Sequence, residues 1–273
     1  MGPVGGFSHA APAAATQGGT APRPHTQIEW KVCFPPLSDR QSLTAPLLAV
    51  ALMEQALPTS SRAERLADAI VHAIGMGLAA VGCLVLLATV PPHVELVPLL
   101  ALMIYAGGLM AMLGCSALYN LTRDPVRRRR YRRFDHCGIF LMIAGTYTPF
   151  TLVALGDTTS RLLLAFVWAV ALVGIAIELA GSQRGDLALT ATYIVLGWVI
   201  LVQVGPLAVA LPHATMALLV VGGVLYTVGA IFHHWRSLPF QNAIWHGFVL
   251  IAATCHYLAV LREIAPIRPA ILP

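Results

Sequence analysis

Six side chains with chemistry to offer stand inside or at the edges of apolar runs: His72, Ser116, Asn120, Asp135, Asn242 and His246. Ser116 and Asn120 are four residues apart, and so are Asn242 and His246, so on a helix each pair shares a face. Imidazole, carboxylate, hydroxyl and carboxamide groups gathered in one place can ligate a metal ion, pass a proton, or join helices by hydrogen bonds. Polar groups in apolar segments are costly and turn towards a bundle interior. A lone Ser or Asn there commonly does no more than bond a neighbouring helix. A group that includes Asp135 and His246 points further, to a functional site. His136 follows Asp135 directly and projects about 100° away around a helix. His256 lies ten residues beyond His246, roughly 15 Å along a helix axis. That is too far to share a metal, so His256 reads as a packing or relay residue. Tyr147, Pro149 and Tyr226 read as packing or kink positions.

The elements that carry these residues are set by composition. Of 273 residues, 58% are hydrophobic and only 11% charged, and the mean hydropathy is +0.75. A soluble domain of this size needs more charge to cover its surface. Seven apolar segments are long enough to cross a hydrocarbon core of about 30 Å: roughly 66–90, 96–121, 134–155, 161–180, 187–206, 212–232 and 242–262. Short connections such as "PPHVE", "TRDPVRRRRYRR", "GDTTS", "GSQRGD" and "HHWRSLPFQ" separate them. Helices satisfy their own backbone hydrogen bonds in lipid, so the expected fold is all-α, a seven-transmembrane helix bundle. Five cysteines form no Cys-x-x-Cys pair and four sit in apolar runs, which excludes a zinc ribbon or a disulfide framework.

Residues 1–60 are expected to be a disordered N-terminal extension, 61–263 the seven-span domain and 264–273 a short tail. Met53 offers an alternative start, which would make the residues before it an over-called extension. Seven arginines crowd the connection between spans two and three: Arg123, Arg127, Arg128, Arg129, Arg130, Arg132 and Arg133. The positive-inside rule then puts the N-terminus in the cytoplasm and the C-terminus outside. This run, which also explains most of the net charge of +5, is a topological anchor compatible with acidic lipid headgroups. It does not signal nucleic-acid binding. In this orientation His72, Ser116, Asn120, Asp135, His136, Asn242 and His246 fall at similar depth near the inner face, although they come from four distant parts of the chain.

Several stretches resemble the hemolysin III family, relatives of the adiponectin and progestin receptors. "ERLADAIVHAIG" (64–75) resembles its opening Glu/Asn/His motif, with Asp68 near the usual Asn. "SALYN" (116–120) is similar to its Ser-x-x-x-His end of span two. "RRFDHCGIFLMIAGTYTPF" (132–150) is close to its most recognisable block. "GGVLYTVGAIF" (222–232) and "NAIWHGFVLIAATCHYLAVL" (242–261) resemble its last two spans. The resemblance implies a zinc site held by three histidines, with a Ser and an Asp beside it. Carried over, the Ser and Asp fall on Ser116 and Asp135, and the histidines on Asn120, Asn242 and His246.

Two of the three implied ligands are therefore asparagine. A carboxamide is a neutral oxygen donor and a poor substitute for imidazole on zinc. His246 is the only implied ligand retained, which predicts a degenerate metal site with weak or absent zinc and a hydrogen-bonded polar network in its place. His72 or His136 could complete an altered site. The expected function is a lipid-binding, sensing or scaffold protein in a membrane, by resemblance the bacterial inner membrane, with membrane lipid as its partner. One alternative is a zinc-dependent lipid amidase of the ceramidase type, with Asp135 as general base and Ser116 beside it. The other is pore formation, which needs a polar stripe through the whole bundle.

Overall fold

The computed structural model describes residues 61–181 and 185–264. The expected extension 1–60 and the tail beyond 264 lie outside the described residues, as do residues 182–184. Seven helices are long and apolar enough to cross a membrane: α1 Arg62–Thr89, α2 Leu96–Leu121, α3 Pro125–Leu155, α4 Thr158–Leu179, α5 Asp186–Ala210, α6 His213–His234 and α7 Gln241–Ile264. Large apolar side chains are exposed on their outer faces, among them Leu66, Leu78, Leu84, Leu162 and Val202. In water such a surface would be an aggregation hazard; in lipid it is the matching solvent.

The starts of α1, α3 and α4 are fixed by side chains. Ser61 Oγ accepts the Glu64 N–H at 3.1 Å, and Glu64 Oε2 accepts the Ser61 N–H at 2.6 Å, a capping box. The other oxygen of Glu64 accepts the Phe240 N–H at 3.0 Å. Phe240 has φ of 58°, a left-handed conformation unusual for a bulky residue. Glu64 thus holds the entry to α7 beside the entry to α1, which brings Asp68 and Asn242 to the same level. Asp157, in the α3–α4 connection, caps α4 through the Thr159 and Ser160 N–H groups. Hydrogen bonds led by the Ser160 hydroxyl hold its carboxyl below the usual range.

One expected connection is helical instead. The arginine run reads as a loop before a span starting at 134, yet α3 begins at Pro125. Asp124 accepts the Arg127 N–H at 2.7 Å, Pro125 takes the first helical position, where its missing N–H is harmless, and arginine is a good helix former. The span is therefore extended by an exposed basic segment.

A close backbone approach joins α2 to α3. A Cβ at Gly138 would lie 2.9 Å from the Cα of Met112, and one at Gly108 would lie 3.0 Å from the Leu141 carbonyl oxygen. Only glycine lets these backbones meet, the small-residue packing of membrane helices. Around this contact sit Leu102, Tyr105, Leu109 and Met142. A second core joins α3 to α4 and α5 through Phe140, Tyr147, Val167 and Leu196.

Two helices change register. After Pro149, α3 continues as a π-helical turn over Phe150–Leu155, closed by Gly156 at φ 68°. In α5 a 3-10 stretch, Val199–Gln203, precedes Pro206. Pro206 has no N–H and its ring crowds the carbonyl four residues back, which forces the tighter winding. The Tyr147 hydroxyl fills the break: it donates to the Leu196 carbonyl at 2.8 Å and accepts the Ile200 N–H at 2.8 Å.

Candidate functional site

Three helices each present a pair of polar residues four apart, and the three pairs meet. They are Asp68 and His72 on α1, Ser116 and Asn120 on α2, and Asn242 and His246 on α7. Asp68 is the hub. Its Oδ1 lies 2.6 Å from His246 Nδ1 and its Oδ2 accepts from Asn242 Nδ2 at 2.9 Å. The same Asn242 nitrogen donates to Asn120 Oδ1 at 3.0 Å, and Asn120 Nδ2 donates to the Ser116 carbonyl at 3.0 Å. His72 Nδ1 lies 2.8 Å from the Asp68 carbonyl oxygen. The two rings stand edge to face with centroids 4.3 Å apart, and each brings its Nε2 to 3.4 Å from Ser116 Oγ. Asp68, His72, Ser116 and His246 are all buried.

Asp135 on α3 stands beside Ser116 and His246 at the wall of a shared cavity. All six residues singled out in the sequence thus fall in one neighbourhood. His136 also borders the cavity, but its Nδ1 pairs outside the cluster, with Glu178 Oε2 on α4 at 3.0 Å. His256 rests against Gly222, with Nε2 3.3 Å from the Leu219 carbonyl oxygen and its ring beside Tyr226. Sequence reasoning placed Asp68 near a motif but gave it no part in the cluster. The signals were present in its spacing of four from His72 and in the cost of a carboxylate on an apolar helix.

The cavity holds about 240 Å³. His72, Ser116, Asp135 and His246 line one end, and Tyr226 and His256 line it farther along the bundle. Between them the walls are mainly apolar, with Met142, Ile143, Phe150, Trp198, Val249 and Leu250 among them. For scale, an engineered apolar cavity of about 150 Å³ takes up a benzene molecule.

A family profile described as "Haemolysin-III related" matches residues 62–257. The chain belongs to the haemolysin-III-related family. "Hemolysin-3" of Bacillus cereus is 36% identical over 203 residues, covering 74% of this chain and 93% of that protein. "Hemolysin-3 homolog" of Bacillus subtilis (strain 168) is 34% identical over 198 residues, 72% of this chain and 93% of that one. "Monocyte to macrophage differentiation factor" of Homo sapiens is a more distant relative, 28% identical over 171 residues, 58% of this chain and 68% of its own length. With seven spanning helices, this haemolysin-III relative is an integral membrane protein.

The three-histidine zinc set implied by the resemblance does not fit these side chains. Asn120 and Asn242 occupy two of its positions, and their carboxamides are engaged with each other, with Ser116 and with Asp68. Zinc favours imidazole, thiolate and carboxylate. Among the described residues, the group that brings three such donors together is Asp68, His72 and His246.

Proposed function

We propose that this haemolysin-III relative binds a membrane lipid, as a sensor or scaffold. The observation that carries this reading is the cavity: mainly apolar walls suited to an acyl chain, ending at hydrogen-bonding groups suited to a headgroup. His72, Ser116 and Asp135 offer both donors and acceptors at that end. The arginine-rich start of α3 belongs to the same end of the bundle. By the positive-inside rule that end faces the cytoplasm, and resemblance to the Bacillus proteins favours a bacterial inner membrane.

A long-chain fatty acid carrying a photoactivatable diazirine tests the reading on purified protein in detergent. Cross-links are expected on cavity residues such as Ile143, Val249 and Leu250. Val249→Trp, which fills the cavity, should lower labelling at least about tenfold. Labelling confined to outward residues such as Leu78 and Val202, unchanged by Val249→Trp, would show that the cavity takes no lipid.

A further inference from the structure

We propose that Asp68, His72 and His246 form a divalent transition-metal site of their own, drawn from α1 and α7. It shares only His246 with the set interrupted at Asn120 and Asn242. The proposal concerns a metal ion alone and does not depend on lipid filling the cavity.

Each of the three residues offers one ligand atom, and these atoms lie within 4.8 Å of one another. Two donors on a tetrahedral ion with bonds of about 2.0 Å stand about 3.3 Å apart. His72 Nδ1 and Asp68 Oδ1 are already 3.6 Å apart. His246 Nδ1 and Asp68 Oδ1, at 2.6 Å, enclose a proton. A cation replacing that proton needs the pair to open by less than about 1 Å. Two imidazoles and one carboxylate are good ligands for zinc and its divalent neighbours and leave a coordination position free.

The surroundings are those of a supported site. His246 turns Nδ1 to the Asp68 carboxylate and His72 turns Nδ1 to the Asp68 main-chain carbonyl, a hydrogen bond that a metal on this nitrogen displaces, while both rings turn Nε2 towards Ser116. With both Nδ1 atoms on a metal, the ring protons sit on Nε2, and the two lone pairs of Ser116 Oγ can accept both. The Asn242 amide holds the second oxygen of Asp68 at 2.9 Å, orienting the carboxylate as outer partners of metal ligands do. The carboxylate of Asp68 in an apolar bundle also calls for a compensating positive charge, which a divalent ion supplies. Asn242 thereby becomes an orienting residue where the resemblance implies a ligand.

The test uses the full chain in detergent, stripped with a chelator and titrated with zinc alone. Stoichiometry is read by elemental analysis and affinity by competition with a chromogenic chelator. The expected result is one zinc per chain, with Asp68→Asn weakening the affinity at least about 100-fold. Asp68→Asn combined with Asn120→His and Asn242→His should regain zinc through three imidazoles. If Asp68→Asn does not fold, His72→Gln leaves the bonds of Asp68 to His246 and Asn242 in place and gives the same reading. Wild-type protein that takes up no zinc, or a folded Asp68→Asn or His72→Gln variant that binds it as wild type does, overturns the proposal. Lipid labelling, read on the metal-stripped protein, reports separately on the cavity.

Discussion

Asp68 Oδ1 stands 2.6 Å from His246 Nδ1, joining the first helix to the last across 178 positions of sequence. The same carboxylate accepts from Asn242, so one side chain holds two residues of α7 against α1. Without metal, Asp68→Ala should destabilise the bundle by about 2–4 kcal/mol, because both partners lose their acceptor in a buried place. Asp68→Asn keeps one carbonyl acceptor and should lose about half as much. Thermal unfolding of chelator-treated protein in detergent measures the difference. An alanine variant that melts with wild type would remove Asp68 from its place as hub.

Neighbouring glycines on α2 should respond in opposite ways. A Cβ at Gly108 meets the Leu141 carbonyl oxygen at 3.0 Å, whereas one at Gly107 meets nothing within 4 Å. Gly108→Ala should therefore cost about 1–3 kcal/mol by forcing α2 and α3 apart. Gly107→Ala should be neutral, or stabilise by up to about 1 kcal/mol through helix propensity. The two melting curves, run side by side, check the helix contact without reference to function.

At the arginine-rich end, Asp186 on α5 receives Arg132 from α3 and Arg236 from the α6–α7 connection, the latter at 3.0 Å. Both arginines are exposed, and exposed ion pairs contribute little. Asp186→Ala is expected to cost under about 1 kcal/mol, with the difference from wild type shrinking as salt rises. A larger, salt-independent loss in thermal unfolding would mean that this clamp holds the helices together.

The spans were legible in the sequence because a helix in lipid must be apolar along a full crossing, and no shorter segment mimics that signal. Spacings of four put Ser116 with Asn120 and Asn242 with His246 on shared faces, and the level of each span placed those pairs at one end. The arginine run misled because charge marks a membrane boundary in sequence, while helix formation there follows from Asp124, Pro125 and arginine's own propensity. The role of Asp68 was hidden for a different reason. Its position beside a familiar motif drew attention to what it replaces; its spacing from His72 put it on a shared polar face, but its hydrogen bonds to Asn242 and His246 cross to α7, a pairing no local pattern encodes. Glu178 and Gln203 were missed likewise; their partners, His136 and Ser160, lie on other helices.

Tyr147 shows how a residue can read as packing and still hold backbone together. Its hydroxyl lies within 3.0 Å of the Leu196 and Gly197 carbonyl oxygens and the Ile200 N–H, the groups freed where α5 tightens ahead of Pro206. In lipid no water can take over those bonds. Tyr147→Phe keeps the ring in its pocket and removes only the hydroxyl, so its effect isolates the bridge. The expected loss is about 1–2 kcal/mol, with faster amide exchange confined to the segment from Leu196 to Gln203. Pro206→Ala in the same background should restore regular winding and recover part of the stability, since the break that the hydroxyl serves would be gone. Uniform exchange along α5 in both variants would instead assign the 3-10 segment to packing against α3 and α4, with Tyr147 filling space only.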